Sequence, residues 1–151
     1  MPEWKIHNKC AEKLGISKEI SNFVNRLIDF SEECQEFMEF CNREDEKSRT
    51  SRRKRVVTLP YRVTVGKHDS GRRRKTAMYL QLRFLRQKGS EYVKAWYLHH
   101  ILDYIKSAPI LSIEEILKRI ENKTESCKEL EIVKDFVMKN SEEILQECRN
   151  E

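Results

Sequence analysis

Trp96–Lys106, "WYLHHILDYIK", decides the fold. The stretch has no glycine or proline, and its apolar and aromatic residues fall on most faces of a 3.6-residue helix. Other helices must therefore surround it. Yet it holds two adjacent histidines, His99 and His100, four and three residues before Asp103. On a helix both spacings put imidazole and carboxylate on neighbouring positions of one surface. Val93, Trp96, His100 and Asp103 share a stripe that should face the core. A buried, unpaired carboxylate is costly, so Asp103 needs a partner: a metal ion, an arginine or an imidazole.

Working outward, Ser90 is expected to cap this helix and Pro109 to end it. Upstream, "RRRKTAMYLQLRFLRQK" opens at Ser70 or Gly71 and closes at Gly89. Downstream, Ser112 caps "IEEILKRIEN", and a last helix runs from about Glu125 to Cys148 with Leu130, Val133, Phe136, Val137 and Ile144 as its stripe. Toward the N-terminus, Trp4–Leu14 reads as a short helix stopped by Gly15. Ser17 caps "KEISNFVNRLIDF", and "SEECQEFMEFCNR" begins with a Ser31 cap and acids in its first turn. "EDEKSRTSRRKR" is polar and aperiodic, hence a loop. "VVTLPYRVTVG" is rich in β-branched residues but interrupted by Pro60, hence a short hairpin or extended edge segment. The expected fold is all-α: a single domain over 1–151, a bundle of six to seven helices, with a basic loop and extended insertion at about 43–67.

With 151 residues, 36 % charged and 38 % apolar, the chain suits one soluble helical domain with its own core. No apolar run reaches 18 residues, so no transmembrane helix is expected. "MPEWKIHNKCAEK" is too polar for a secretory signal, which makes the cytoplasm the default compartment. The five cysteines form no C-x-x-C pair and read as reduced, packed thiols. Charge is unevenly spread. Lys47–Lys88 holds 15 Lys or Arg and one acid, Asp69, a local charge of +14. The overall +5 then leaves −9 on the rest. A basic middle between acidic flanks makes a local positive field.

The chain has four histidines: His7, His68, His99 and His100. The order His7, His68-Asp69, Asp103 resembles the HD-domain metal-dependent phosphohydrolases, a family of helical bundles. The resemblance implies that His7, His68, Asp69 and Asp103 bind a metal, with His99 or His100 auxiliary, and that Asp69 is also the catalytic carboxylate. It covers roughly the first hundred residues. Trp4, His7 and His99-x-x-x-Asp103 are also similar to the zinc-dependent phospholipase C and single-strand nuclease group.

Imidazoles with carboxylates suit Mn, Fe, Zn, Co or Ni. Such an ion yields a metal-bound hydroxide near neutral pH and polarises a phosphoryl oxygen. Arg72, Arg73, Arg74 and Lys75 follow Asp69 at a helix start, where phosphate is favoured. The expected function is hydrolysis of a phosphomonoester or phosphodiester in a nucleotide, a nucleic acid or another phosphate ester. The alternative is a non-catalytic nucleic-acid-binding protein that uses the 47–88 region. Arg52, Arg53, Lys54 and Arg55 would then form an arm, and Arg83 and Arg86 would lie on a basic helix.

Overall fold

The computed structural model describes the backbone of residues 4–50, 71–124 and 126–149, and the side chains of these residues except 45–50 and 71–77. Among the described residues there are eight α-helices, one 3-10 turn and no strand. The hairpin or extended segment expected after Val56 lies outside the described residues, as do Arg52, Arg53, Lys54, Arg55, His68 and Asp69. Among the described residues no helix is long and apolar enough to cross a membrane.

The helices are α1 (Trp4–Lys13), α2 (Lys18–Asp29), α3 (Gln35–Thr50), α4 (Gly71–Lys88), α5 (Ser90–Ser107), α6 (Ile113–Lys123), α7 (Lys128–Lys139) and α8 (Ser141–Arg149). The chain forms two compact units, Met1–Asn25 with Lys88–Glu151, and Arg26–Gln87.

In the first unit α5 is the centre. Helices α1, α6, α7 and α8 all pack on it. Its buried residues run almost around the helix: Val93, Ala95, Trp96 through Leu102, and Ile105. The surrounding helices each present one apolar stripe. In α6 this is Ile113, Ile116, Leu117 and Ile120, in α7 Leu130, Val133 and Val137, and in α8 Ile144 and Cys148. Arg149 closes the C-terminal end of α5, donating from Nε to the Ile105 carbonyl (3.3 Å) and from Nη2 to the Leu111 carbonyl (3.0 Å). Those carbonyls lie at and beyond the helix end, where no backbone donor of the helix reaches them. In the second unit Phe37 and Phe40 of α3 meet Phe84 of α4, with ring centroids 5.4 and 5.6 Å from it.

Several boundaries follow the local chemistry. Gly15 ends the α1 turn with φ +91°, a conformation that only glycine adopts at low cost. The Ser17 hydroxyl accepts the Ile20 N–H (3.3 Å) at the start of α2. Ser112 and Glu115 make a reciprocal capping box at α6: Ser112 Oγ accepts the Glu115 N–H at 3.2 Å, and the Glu115 carboxylate accepts the Ser112 N–H at 3.4 Å.

Four expectations are corrected. Gly89 (φ +147°), not Ser90, is the N-cap of α5. The Ser90 hydroxyl instead donates to Glu129 of α7 (3.0 Å). The segment from Ser31 does not form one helix. It makes a 3-10 turn over Ser31–Glu33, and extended backbone at Cys34 (φ −89°, ψ 99°) separates that turn from α3. Residues 44–50, read as loop, continue α3. Glu, Lys and Arg are good helix formers, and extending an existing helix needs no new nucleus. The long last helix is two, α7 and α8, broken at Asn140. There the side-chain amide donates to the Phe136 carbonyl (2.9 Å) and competes with continued helix.

Candidate metal centre

His7, His99 and Asp103 converge. In α1 the buried side chains are His7, Cys10 and Ala11, spaced three and four residues apart. That spacing is one helix face, and α1 turns it toward α5. His99 and Asp103 are one turn apart on α5, so both meet that face. His7 Nε2 lies 3.3 Å from Asp103 Oδ1, and His99 Nε2 lies 3.2 Å from Asp103 Oδ2. The two imidazoles stack in parallel, with centroids 4.1 Å apart and planes inclined by 5°. One ligand atom from each of the three residues falls within 4.8 Å of the others.

Burial differs across the cluster. His7 is 2 % exposed, His99 1 % and Asp103 20 %, so the carboxylate is the edge nearest solvent. Burial works against the Asp103 carboxylate, but the His7 and His99 imidazoles outweigh it and hold its pKa well below the ordinary carboxylate range.

A polar chain supports His99 from behind. Its Nδ1 lies 2.8 Å from Asn25 Oδ1. Asn25 Nδ2 donates to Asn8 Oδ1 (3.1 Å), which also accepts from the Ser21 hydroxyl (2.5 Å). Asn8 Nδ2 donates to Asn22 Oδ1 (2.8 Å). With Nδ1 turned to Asn25, Nε2 is the atom that faces Asp103. Two lone-pair-bearing atoms at 3.2 Å need a positive charge between them. A proton meets that need by making His99 an imidazolium. A metal ion meets it by coordination.

The donor set fits a divalent transition ion. Charge-assisted N–H···O bonds run about 2.7–2.9 Å, shorter than either contact here. A tetrahedral site built on metal–nitrogen bonds of about 2.0–2.1 Å has ligand edges near 3.3 Å. Each His–Asp contact has that length singly but runs to a different carboxylate oxygen, and with one ligand atom per residue the set spans up to 4.8 Å, so an ion would draw the ligands inward. Two imidazoles and one carboxylate suit Zn, Fe, Mn, Co or Ni and leave coordination positions for water or substrate.

The other described sequence candidates have their own surroundings. His100 is buried against Trp96, with ring centroids 4.3 Å apart, and its ring meets that of His99 edge-on at 5.7 Å. His100 thus packs on Trp96, one turn before it, while His99 meets Asp103, one turn after it. Arg72, Arg73, Arg74 and Lys75 lie in the first turns of α4. Arg83 pairs with Glu44 (3.2 Å) and lies over the Tyr79 ring (5.8 Å). Arg86 is exposed. None of the five cysteines forms a disulfide, and burial pushes the Cys10 thiol up to about 11 and the Cys41 thiol up to about 12.

Sequence reasoning overlooked Asn25, Asn8 and Ser21. The available signal was spacing: Ser21 and Asn25 stand four apart on the face of α2 that also carries Val24 and Ile28. Polar residues interrupting a buried stripe call for buried partners. Comparison of the chain with protein-family models, curated proteins and solved structures gives no match.

Proposed function

We propose that this protein is a metal-dependent phosphohydrolase or phosphodiesterase that holds a divalent transition ion with His7, His99 and Asp103. One observation carries the reading: two buried imidazoles from separate helices direct Nε2 at opposite oxygens of one carboxylate, at 3.3 and 3.2 Å. The resemblance to the zinc-dependent phospholipase C and single-strand nuclease group includes all three residues, and the HD-domain resemblance includes His7 and Asp103, with His99 or His100 auxiliary. A bound ion supplies Lewis acidity, polarising a phosphoryl oxygen and activating water for attack. His7 and His99 bind and exclude water on the buried side. Asp103, the most exposed of the three, provides the open edge. The phosphate-ester half of the reading is supported by composition, the +14 charge of Lys47–Lys88, which favours a polyanionic substrate.

Metal titration of the purified, chelator-treated protein tests the reading, followed by hydrolysis of a chromogenic phosphomonoester and phosphodiester with Zn2+, Mn2+ or Co2+ added. The wild type is expected to take up the ion and to hydrolyse at least one ester. His7→Ala, His99→Ala and Asp103→Ala are expected to lose both properties. A wild type that takes up none of these ions carries a His99 imidazolium–Asp103 pair instead, and the proposal fails. Ion uptake without hydrolysis keeps the metal centre and removes the enzyme. DNA or RNA held in chelator, with steep salt dependence, would support the non-catalytic alternative.

A further inference from the structure

We propose that Asn25 is the positioning residue of the cluster: it selects which ring nitrogen of His99 faces Asp103 and His7. Neutral imidazole carries its proton on either nitrogen, and the partner of one nitrogen decides the role of the other. Asn25 Oδ1 lies 2.8 Å from His99 Nδ1, and both residues are at least 98 % buried. An amide oxygen can only accept, so Nδ1 is the protonated nitrogen and Nε2 is left with the lone pair that can ligate an ion beside Asp103.

The amide could in principle be reversed, presenting its NH2 group to His99. The polar chain opposes this. Asn25 Nδ2 already donates to Asn8 Oδ1 at 3.1 Å, and the same oxygen takes the Ser21 hydroxyl at 2.5 Å. Reversing Asn25 alone would set its oxygen against the Asn8 oxygen. Reversing Asn8 as well would set the Asn8 oxygen against Asn22 Oδ1, which now accepts from Asn8 Nδ2 at 2.8 Å. Presenting the amide nitrogen to His99 therefore requires Asn25, Asn8 and Asn22 to reverse together. His7 Nε2 approaches the other carboxylate oxygen, so the paired geometry depends on His99 presenting Nε2 and not Nδ1.

The inference deepens the metal reading and rests on it only for its consequence. Ligating histidines are commonly oriented by such an outer partner, and removing that partner weakens metal binding by roughly 10–100-fold. Two readouts separate the claims. Nitrogen-15 NMR of the metal-free wild type reads the tautomer directly. The expected result is a neutral ring with a proton on His99 Nδ1, shielded from exchange, and none on Nε2, and Asn25→Ala should let that proton exchange freely. Zn2+ titration reads the consequence. Asn25→Ala should lose affinity, while Asn25→Asp, which keeps an acceptor toward Nδ1, should bind more tightly than Asn25→Ala. Asn22→Ala, at the far end of the chain, should leave affinity closer to wild type than Asn25→Ala does. A wild-type His99 with a bare Nδ1, or with a proton on both nitrogens, overturns the proposal and needs no variant to fold. Asn25→Ala with wild-type Zn2+ affinity also overturns it. If the wild type binds no Zn2+ yet shows a neutral His99 protonated at Nδ1 alone, Asn25 keeps its role and only the metal reading falls.

Discussion

Helices α4 and α5 are both 18 residues long, and they handle charge in opposite ways. On α4, Arg83 is exposed at the surface, pairs with Glu44 and covers the face of Tyr79. Water screens each of these contacts, so each is separately weak. On α5 a single carboxylate, Asp103, sits among buried groups, and two imidazoles meet it. With Asp103 only 20 % exposed, solvent replaces those partners poorly. A helix that keeps its charges outside tolerates their exchange. A helix that encloses one makes the neighbouring elements depend on it, here α1 through His7 and α2 through Asn25.

The largest test of that contrast is the packing that encloses Asp103. Trp96 is fully buried at the centre of its unit, and Trp96→Ala should cost about 3–5 kcal/mol in urea unfolding. A cost near that of a surface substitution would mean that α5 is not the core helix. The next effect is electrostatic. Asp103→Asn leaves two imidazoles facing a neutral amide, and breaking a buried pair of this kind should cost about 3 kcal/mol. Its pH dependence follows from the direction of the shift. The folded pKa is held below the ordinary 3.8, so the unfolded chain takes up the proton first on acidification. In the metal-free protein this stabilisation is complete above about pH 4 and is lost as pH falls through the lower folded value. Wild type should therefore lose its margin over Asp103→Asn in acid, measured by unfolding between neutral pH and pH 3. An unchanged margin would sink the enclosed-charge account. The smallest effect belongs to α4. Arg83→Ala should cost about 0.5 kcal/mol or less, fading as salt is added. A large, salt-resistant loss would erase the contrast between the helices.

Much of the fold was readable where one residue type decides the geometry. Gly15 in the left-handed region and the Ser112–Glu115 box mark helix ends that composition alone announces. The all-round apolar character of α5 announced its central place. The misread boundaries depended on competition between near-equal states. At Asn140 a side-chain amide contests a backbone carbonyl, and at Cys34 the chain turns extended without glycine or proline. In the candidate site, helical spacing identified Asp103 with both neighbouring histidines but could not choose between them. The choice depends on which side of α5 faces α1, a tertiary fact. His100 goes to Trp96, and His99 goes to Asp103. Asn25 was harder still, because its partner is 74 positions away in the chain.

The stacked imidazoles have an optical consequence. Each follows a tryptophan by three residues, Trp4 before His7 and Trp96 before His99, and these are the chain's two indoles. One is partly open at the start of α1 and the other is sealed within α5. Intrinsic fluorescence therefore watches both walls of the cluster without a label, and replacing either indole with phenylalanine assigns the signal to one wall.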